Sequence, residues 1–386
     1  MPNIRRMMMA AAGVSTGGNY KIYSWGQNTW GMLGLGNTTT YSSPKQVGSD
    51  EDWASLHAGY YLNGGASAIK TDGTLWSWGR GIKGMLGLNN TTDYSSPVQV
   101  GSLTDWRGVV QGYQSTLGFK TDGTLWAWGD GNDGQLAQGT TSDIHSPVQI
   151  GSLTNWSTDS WVNAWSGAHG WKVIKPDGTM WTWGAGDSGM NGLGNTTAYS
   201  SPVQIGGLTT WYRGTSGGSR GNIVTKTDGT LWAWGQNTSG LLGNGNTTNY
   251  SSPIQIGGLT DWKYNNRTLR FNSSGLGGFT FVLKSDGTAW SWGGGFGGRT
   301  GHGNTTNYSS PVQIGGLTTW YRADPGYQHS AAVNTSGQVF VWGNNALGQL
   351  GLGNTTNYSS PVQLASDTNW STTTGGRKFN LALKIP

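Results

Sequence analysis

The chain has 386 residues, among them 23 Trp, 68 Gly, 11 Pro and no Cys, and only 11% are charged against roughly 25% in an average globular domain. Abundant Gly, Thr, Ser and aromatic residues exclude a helical protein and favour short strands joined by tight turns, while the lack of Cys excludes a disulfide framework, a thiol nucleophile and a thiolate metal site. The net charge of +5 would invite nucleic acid, but no basic run forms a stripe, so phosphate backbones are not expected as the main partner.

The chain opens with "MPNIRRMMMAAAGVSTGG". Arg5 and Arg6, a weakly apolar stretch and small residues mimic a short signal peptide, but the apolar part lacks Leu, Ile and Phe. The expectation is an uncleaved arm over residues 1–18, with Ile4, Arg5, Arg6, Met7, Met8 and Met9 docking on another chain. No apolar run approaches the roughly 20 residues of a membrane span.

From residue 19 to 386 the chain is a set of repeats. A Trp-Gly pair occurs seven times, at Trp25, Trp78, Trp128, Trp183, Trp234, Trp292 and Trp342. A second tryptophan, which ends segments of the "GGLTDW" type, follows each of them by 28 residues, at Trp53, Trp106, Trp156, Trp211, Trp262, Trp320 and Trp370. A Lys (Lys70, Lys120, Lys175, Lys226, Lys284) or Asn334 precedes the next Trp-Gly tryptophan by eight residues. Length varies only between the second tryptophan and that position, where the separations run 17, 14, 19, 15, 22, 14 and 14.

Each unit reads as four strands. An apolar segment such as "FVLK" leads through an Asp-Gly turn into a segment of the "TLWSWG" type, and Asp-Gly between β-formers signals a hairpin. A long connection then reaches "PIQIGG", and "LTDW" starts the next unit. Four short strands per roughly 50 residues describe a propeller blade, so the prediction is an all-β, single seven-bladed β-propeller. The opening "NYKIYSWG" matches the third segment of a unit and the closing "FNLALK" matches the second, with only the Asp-Gly turn missing. The two terminal strands are therefore expected to pair and close the ring, which removes its open edges. Nineteen of the 23 tryptophans fall at periodic positions and are assigned to the core. The exceptions are Trp30, Trp161, Trp165 and Trp171.

The segment "WGNNALGQLGLGNTTNYSSPVQL" at Trp342, preceded by "GYQHSAAVNTSGQVFV", resembles the regulator of chromosome condensation repeat. That family's hallmark is Trp-Gly-x-Asn followed by Gly-x-Leu-Gly, after a Gly-x-x-His-Ser strand. The resemblance implies a seven-bladed propeller over Asn19 to Lys384. The family's founding members act as exchange factors for a small GTPase and dock on chromatin, which requires an extended wedge and acidic surface residues. Here no insertion is long enough for a wedge, Glu51 is the only Glu, and Gly-x-x-His-Ser is intact once, at Gly326 to Ser330. Exchange activity is therefore not expected. "RRMMMAAAG" resembles leaders on structural proteins of marine bacteriophages. With the Gly-, Asn-, Thr- and Ser-rich composition, this predicts a non-enzymatic virion component (tail, fibre or capsid decoration) whose arm contacts other virion proteins. The rival expectation is a cytoplasmic protein-interaction scaffold.

No catalytic set, metal site or cofactor emerges. Five Asp sit in hairpin turns, and the five His occupy four different repeat positions without metal-ligand spacing. "DGNDG" at Asp130 to Gly134 lacks the later acidic ligand of a calcium loop and reads as a solvated turn, and the six Asn-Thr-Thr triplets read as polar turns. Binding is assigned instead to the two longest variable segments, because length variation on one side of a repeat array often marks its binding face. One brings Trp161, Trp165, His169 and Trp171; the other brings Lys263, Tyr264, Arg267, Arg270 and Phe271. Aromatic and Arg side chains suit a host surface glycan or receptor through stacking and forked hydrogen bonds, although some of these tryptophans could fill the blade interior instead.

Overall fold

The computed structural model describes residues 19–59, 64–156, 163–216, 220–262, 278–323, 326–366, 370–376 and 378–385. Seven antiparallel sheets form a ring; six show four strands and one shows three among the described residues. Blades are numbered here 1 to 7 by their Trp-Gly tryptophan, from Trp25 to Trp342. Blade 2 is typical, with strands Trp53–Ala58, Gly65–Lys70, Leu75–Gly79 and Tyr94–Gln99 in spatial order. First strands of neighbouring blades meet toward the centre, and the half-exposed fourth strand forms the rim. Blade 1 joins both ends of the chain: Lys21–Gly26 pairs with Phe379–Lys384, from Lys21 opposite Lys384 to Gly26 opposite Phe379. The predicted fold and its closure both hold.

The repeated Asp-Gly-Thr-x-Trp sequence is a hydrogen-bond relay. In blade 2, Asp72 Oδ1 accepts from the Thr74 amide at 2.9 Å and from its hydroxyl at 2.7 Å, and Thr74 Oγ1 accepts from Trp76 Nε1 at 2.9 Å. The same chain of bonds recurs from Asp122, Asp177, Asp228 and Asp286. One turn thus fixes both the hairpin and the orientation of its first tryptophan. Lys70 then lies over two rings, 5.0 Å from Trp53 and 4.9 Å from Trp76, and Trp53 stands edge-on to Trp76. The periodic lysines are therefore parts of aromatic stacks, which explains why they form no basic stripe.

The Trp-Gly pair ties neighbouring blades together. Trp78 Nε1 donates to the Met32 carbonyl of blade 1, and seven such bonds of 2.9–3.2 Å run round the ring, the last from Trp25 to Gln349. Gly79 has φ +92°, and a Cβ there would lie 2.4 Å from the Gly64 carbonyl oxygen, so only glycine fits. The second glycine of Gly-x-Leu-Gly makes room for the incoming indole: a Cβ at Gly34 would sit 2.9 Å from Trp78 Nε1. Blade 3 carries Ala137 at this position with φ +56°, a conformation that strains an L side chain. Ala137→Gly is expected to raise stability by about 0.5–1 kcal/mol, the αL penalty less glycine's extra unfolded-state entropy. An unchanged or lowered urea midpoint would show that Ala137 is unstrained.

The Asn-Thr-Thr triplets are turns, as expected. Asn37 Oδ1 accepts the Thr39 amide at 2.9 Å, and the equivalent bond forms at Asn90, Asn195, Asn246, Asn304 and Asn354. His329 of the intact Gly-x-x-His-Ser segment is fully buried, and burial pushes its imidazole down to about 4. A Cβ on Gly326 would lie 2.2 Å from that ring, so this hallmark is a packing device. No helix among the described residues is long and apolar enough to cross a membrane.

Candidate binding face

Two kinds of connection open on one side of the ring, here called the loop face: the one between first and second strands and the one between third and fourth. Asp-Gly turns and blade crossovers occupy the opposite, hairpin face. Trp161, Lys263, Tyr264, Arg267, Arg270 and Phe271 lie outside the described residues, as do Ile4, Arg5, Arg6, Met7, Met8 and Met9.

Trp165 and Trp171 correct the expectation of exposed stacking platforms. Trp165 is in the first strand of blade 4, Ala164–Gly167, and Trp171 is in the second, Gly170–Ile174; both are buried. Trp165 Nε1 donates to Asn222 Oδ1 of blade 5 at 3.0 Å, and Trp171 Nε1 donates to Ser115 Oγ of blade 3 at 3.1 Å. They fill the gaps on either side of blade 4, because the described part of the variable segment that carries them, residues 163–175, is mostly strand. A Cβ at Gly214 would meet the Trp165 ring at 2.1 Å, so the neighbouring blade has been hollowed to admit it.

His169 does stand on the loop face, at the turn between those strands, and it heads a cluster built from three blades. Its Nδ1 lies 3.2 Å from Asp130 Oδ2 and 3.3 Å from Asp133 Oδ2 of blade 3, and its ring leans on Tyr113 at 4.5 Å. Gln135 Nε2 donates to Asp130 Oδ2 at 3.0 Å. Lys83 of blade 2 reaches Asp143 Oδ2 at 2.8 Å and Asp130 Oδ1 at 3.7 Å. Asp130 is fully buried. Burial acts to raise its carboxyl, but the hydrogen bonds from His169 and the Asn132 amide outweigh this and hold it below the ordinary value. "DGNDG" is therefore a clasp for His169, which corrects its reading as a solvated turn. Among the described residues no group of three His, Asp or Glu is placed to hold a metal ion.

The rest of the loop face is built from the same stretch of sequence. The four residues after Trp-Gly are equally long in every blade yet differ in kind: Gln27–Trp30, Arg80–Lys83, Asp130–Asp133, Ala185–Ser188, Gln236–Ser239, Gly294–Gly297 and Asn344–Leu347. The Arg80 guanidinium stacks on Trp30 of blade 1 at 4.4 Å, Arg220 bonds Asp187 at 3.1 Å, and Phe296 is 57% exposed. Sequence reasoning followed loop length and so passed over connections of constant length. Comparing the seven stretches position by position would have revealed them.

The sequence matches the profile of the regulator of chromosome condensation (RCC1) repeat over residues 21–63, 72–118, 122–168, 228–264, 286–333 and 336–383. The chain belongs to the RCC1 repeat family. A second profile of the same repeat matches residues 106–135. Residues 169–227 fall outside these matches, yet the ring continues through them as parts of blades 4 and 5. The chain is similar to human E3 ubiquitin-protein ligase HERC2, at 28% identity over 87% of this chain and 6% of that protein. It is also similar to the ultraviolet-B receptor UVR8 of Arabidopsis thaliana, at 27% identity over 77% of this chain and 54% of the receptor. It thus spans about half or far less of these relatives. In fold it is similar to the crystal structure of Kap60 bound to yeast RCC1 (Prp20), with a TM-score of 0.82 at 17% identity over 97% of this chain and 91% of that one. Human WBSCR16 has a TM-score of 0.77 at 20% identity over 95% and 98% of the two chains.

Proposed function

We propose that this RCC1-family ring is a non-enzymatic docking module that engages a protein partner through the loop face of blades 1 to 4. One observation carries the reading: the unlike residues of otherwise equivalent blades meet there, as Trp30 with Arg80 and as Lys83 with Asp143, Asp130 and His169. Aromatic and Arg side chains next to buried charge are typical of interface hot spots. Relatives support a partner of this kind, since yeast RCC1 is described bound to Kap60 and in terms of its binding to Gsp1p and histones.

The test is affinity capture from the native host with the full chain and with Trp30→Ala/Arg80→Ala. Loss of a hot-spot pair should weaken a captured partner by roughly 30-fold or more, with a melting temperature close to that of the parent. Undiminished capture would overturn the assignment to this face. A virion setting, with a host glycan or a neighbouring subunit as partner, is the narrower form of the proposal. It is supported by composition and by the resemblance of residues 1–18 to phage leaders. Purified particles that lack the chain by mass spectrometry would overturn that narrower form.

A further inference from the structure

The periodic lysines of the hairpin face are not all alike. Three of them meet a carboxylate from the blade crossover, supplied by the residue before the second tryptophan. Lys70 Nζ lies 3.2 Å from Asp52, Lys120 Nζ 3.3 Å from Asp105 and Lys284 Nζ 3.1 Å from Asp261. In blade 7 both members of the pair change together, to Thr319 and Asn334. In blade 1 the carboxylate position, Asn369, lies outside the described residues. The adjacent blades 4 and 5 keep the lysine and lose the acid: Asn155 goes with Lys175, and Thr210 with Lys226.

Lys175 and Lys226 are otherwise built like the paired lysines. Lys175 Nζ lies 4.4 Å from the Trp156 ring and 4.6 Å from Trp181, and Lys226 Nζ lies 4.8 Å from Trp211 and 3.6 Å from Trp232. The turn acids two residues on, Asp177 and Asp228, are engaged by the amides and hydroxyls of Thr179 and Thr230. Burial pushes both lysines below the ordinary value, and the charges of Asp177 and Asp228 only partly offset it. At Lys70 burial acts in the same direction, but the bonds to Asp50 and Asp52 outweigh it and raise the group. Depth does not close such a seat: Lys120 and Lys284 are 6% and 7% exposed, yet carboxylates 39% and 46% exposed reach them from the solvent side. Leu153 and Leu208, each 46% exposed, precede Asn155 and Thr210 by two residues and add apolar surface beside the two seats.

We propose that the hairpin face of blades 4 and 5 binds an acidic, leucine-bearing segment of a partner protein, with carboxylates on Lys175 and Lys226 and apolar side chains on Leu153 and Leu208. The site is opposite the loop face, so its failure and that of the docking role are separate results. The probe is a fluorescein-labelled peptide of three Leu-Thr-Asp units, which repeats the crossover sequence that serves Lys120 and Lys284. Fluorescence anisotropy with the full chain should show saturable binding. Lys175→Met/Lys226→Met should weaken it about ten-fold or more, the loss expected for two charge-assisted bonds. Asn155→Asp/Thr210→Asp supplies the missing acids from exposed positions; it should weaken the peptide as much and leave the ring at least as stable to urea. Thr238→Asp/Ala346→Asp makes the same change of charge at exposed positions of the loop face and should leave binding unchanged. Absence of saturable binding, or equal binding by the parent and the Asn155→Asp/Thr210→Asp variant, would overturn the proposal. A thymidine 12-mer that binds more tightly than the peptide and is lost in the same variants would also overturn it, because the seats would then serve phosphate.

Discussion

Replacing Lys172 with leucine is expected to stabilise the ring by about 3 kcal/mol at pH 7. Lys172 lies in the second strand of blade 4, opposite Trp165 and Thr182, and is fully buried. Neither its Nζ nor Thr182 Oγ1 has a hydrogen-bond partner. Other blades carry Leu117, Ile223, Phe281, Ala331 and Leu381 at this position, and only Ser67 is also polar. Burial pushes the Lys172 ammonium down to about 7, whereas in the unfolded chain it titrates at about 10.4. Between those values the unfolded chain holds a proton that the folded chain lacks, so the stability owed to this group rises with pH. Below about 7 the full burial cost remains. The leucine variant removes that slope, so its advantage should be greatest at neutral and acidic pH and shrink in alkali. Urea unfolding of both proteins across this range checks it. A variant no more stable than the parent, or an unchanged difference at every pH, would show that Lys172 is compensated in the fold.

Trp25→Ala is expected to cost about 3–5 kcal/mol, the usual loss for truncating a buried large aromatic. Trp25 is fully buried at the seam between blades 7 and 1, where its Nε1 bonds the Gln349 carbonyl at 3.0 Å. Trp25→Phe keeps most of the ring volume and removes one of two donors to that carbonyl, which still accepts from Asn380 Nδ2, so it should cost only about 0.5–1.5 kcal/mol, the net worth of one hydrogen bond. Gly351 is part of the same contact, since a Cβ there would lie 2.7 Å from Trp25 Nε1. The two urea midpoints separate packing from hydrogen bonding at the closure. Equal losses for Ala and Phe would mean that the bond to Gln349, not the packed ring, carries the seam.

The intended binding loops were the least legible part of the sequence. "STDSWVNAWSGAHGWKVIK" reads as an aromatic surface loop because it is long and irregular. In the fold, two of its tryptophans are strand residues whose indoles cross to blades 3 and 5. His169, alone among the described binding candidates, keeps a place on the loop face. Its partners Asp130 and Asp133 come from a neighbouring blade and a motif that looked like an ordinary turn. Trp30 is one of the four non-periodic tryptophans, yet nothing local indicated that Arg80 would stack on it.

What the sequence determined by itself was the ring: seven units, four strands in each, a hairpin at each Asp-Gly, and closure between the first and last strands. These properties rest on local turn chemistry and constant spacing, and both are written within a single repeat. Only the tertiary structure decided which residues of different blades meet, and hence that Trp165 and Trp171 are core, that "DGNDG" holds a histidine, and that Lys172 lies buried without a hydrogen-bond partner. Those contacts join positions tens of residues apart across blade boundaries, where the pairing is set by the packing of whole sheets and not by any local pattern.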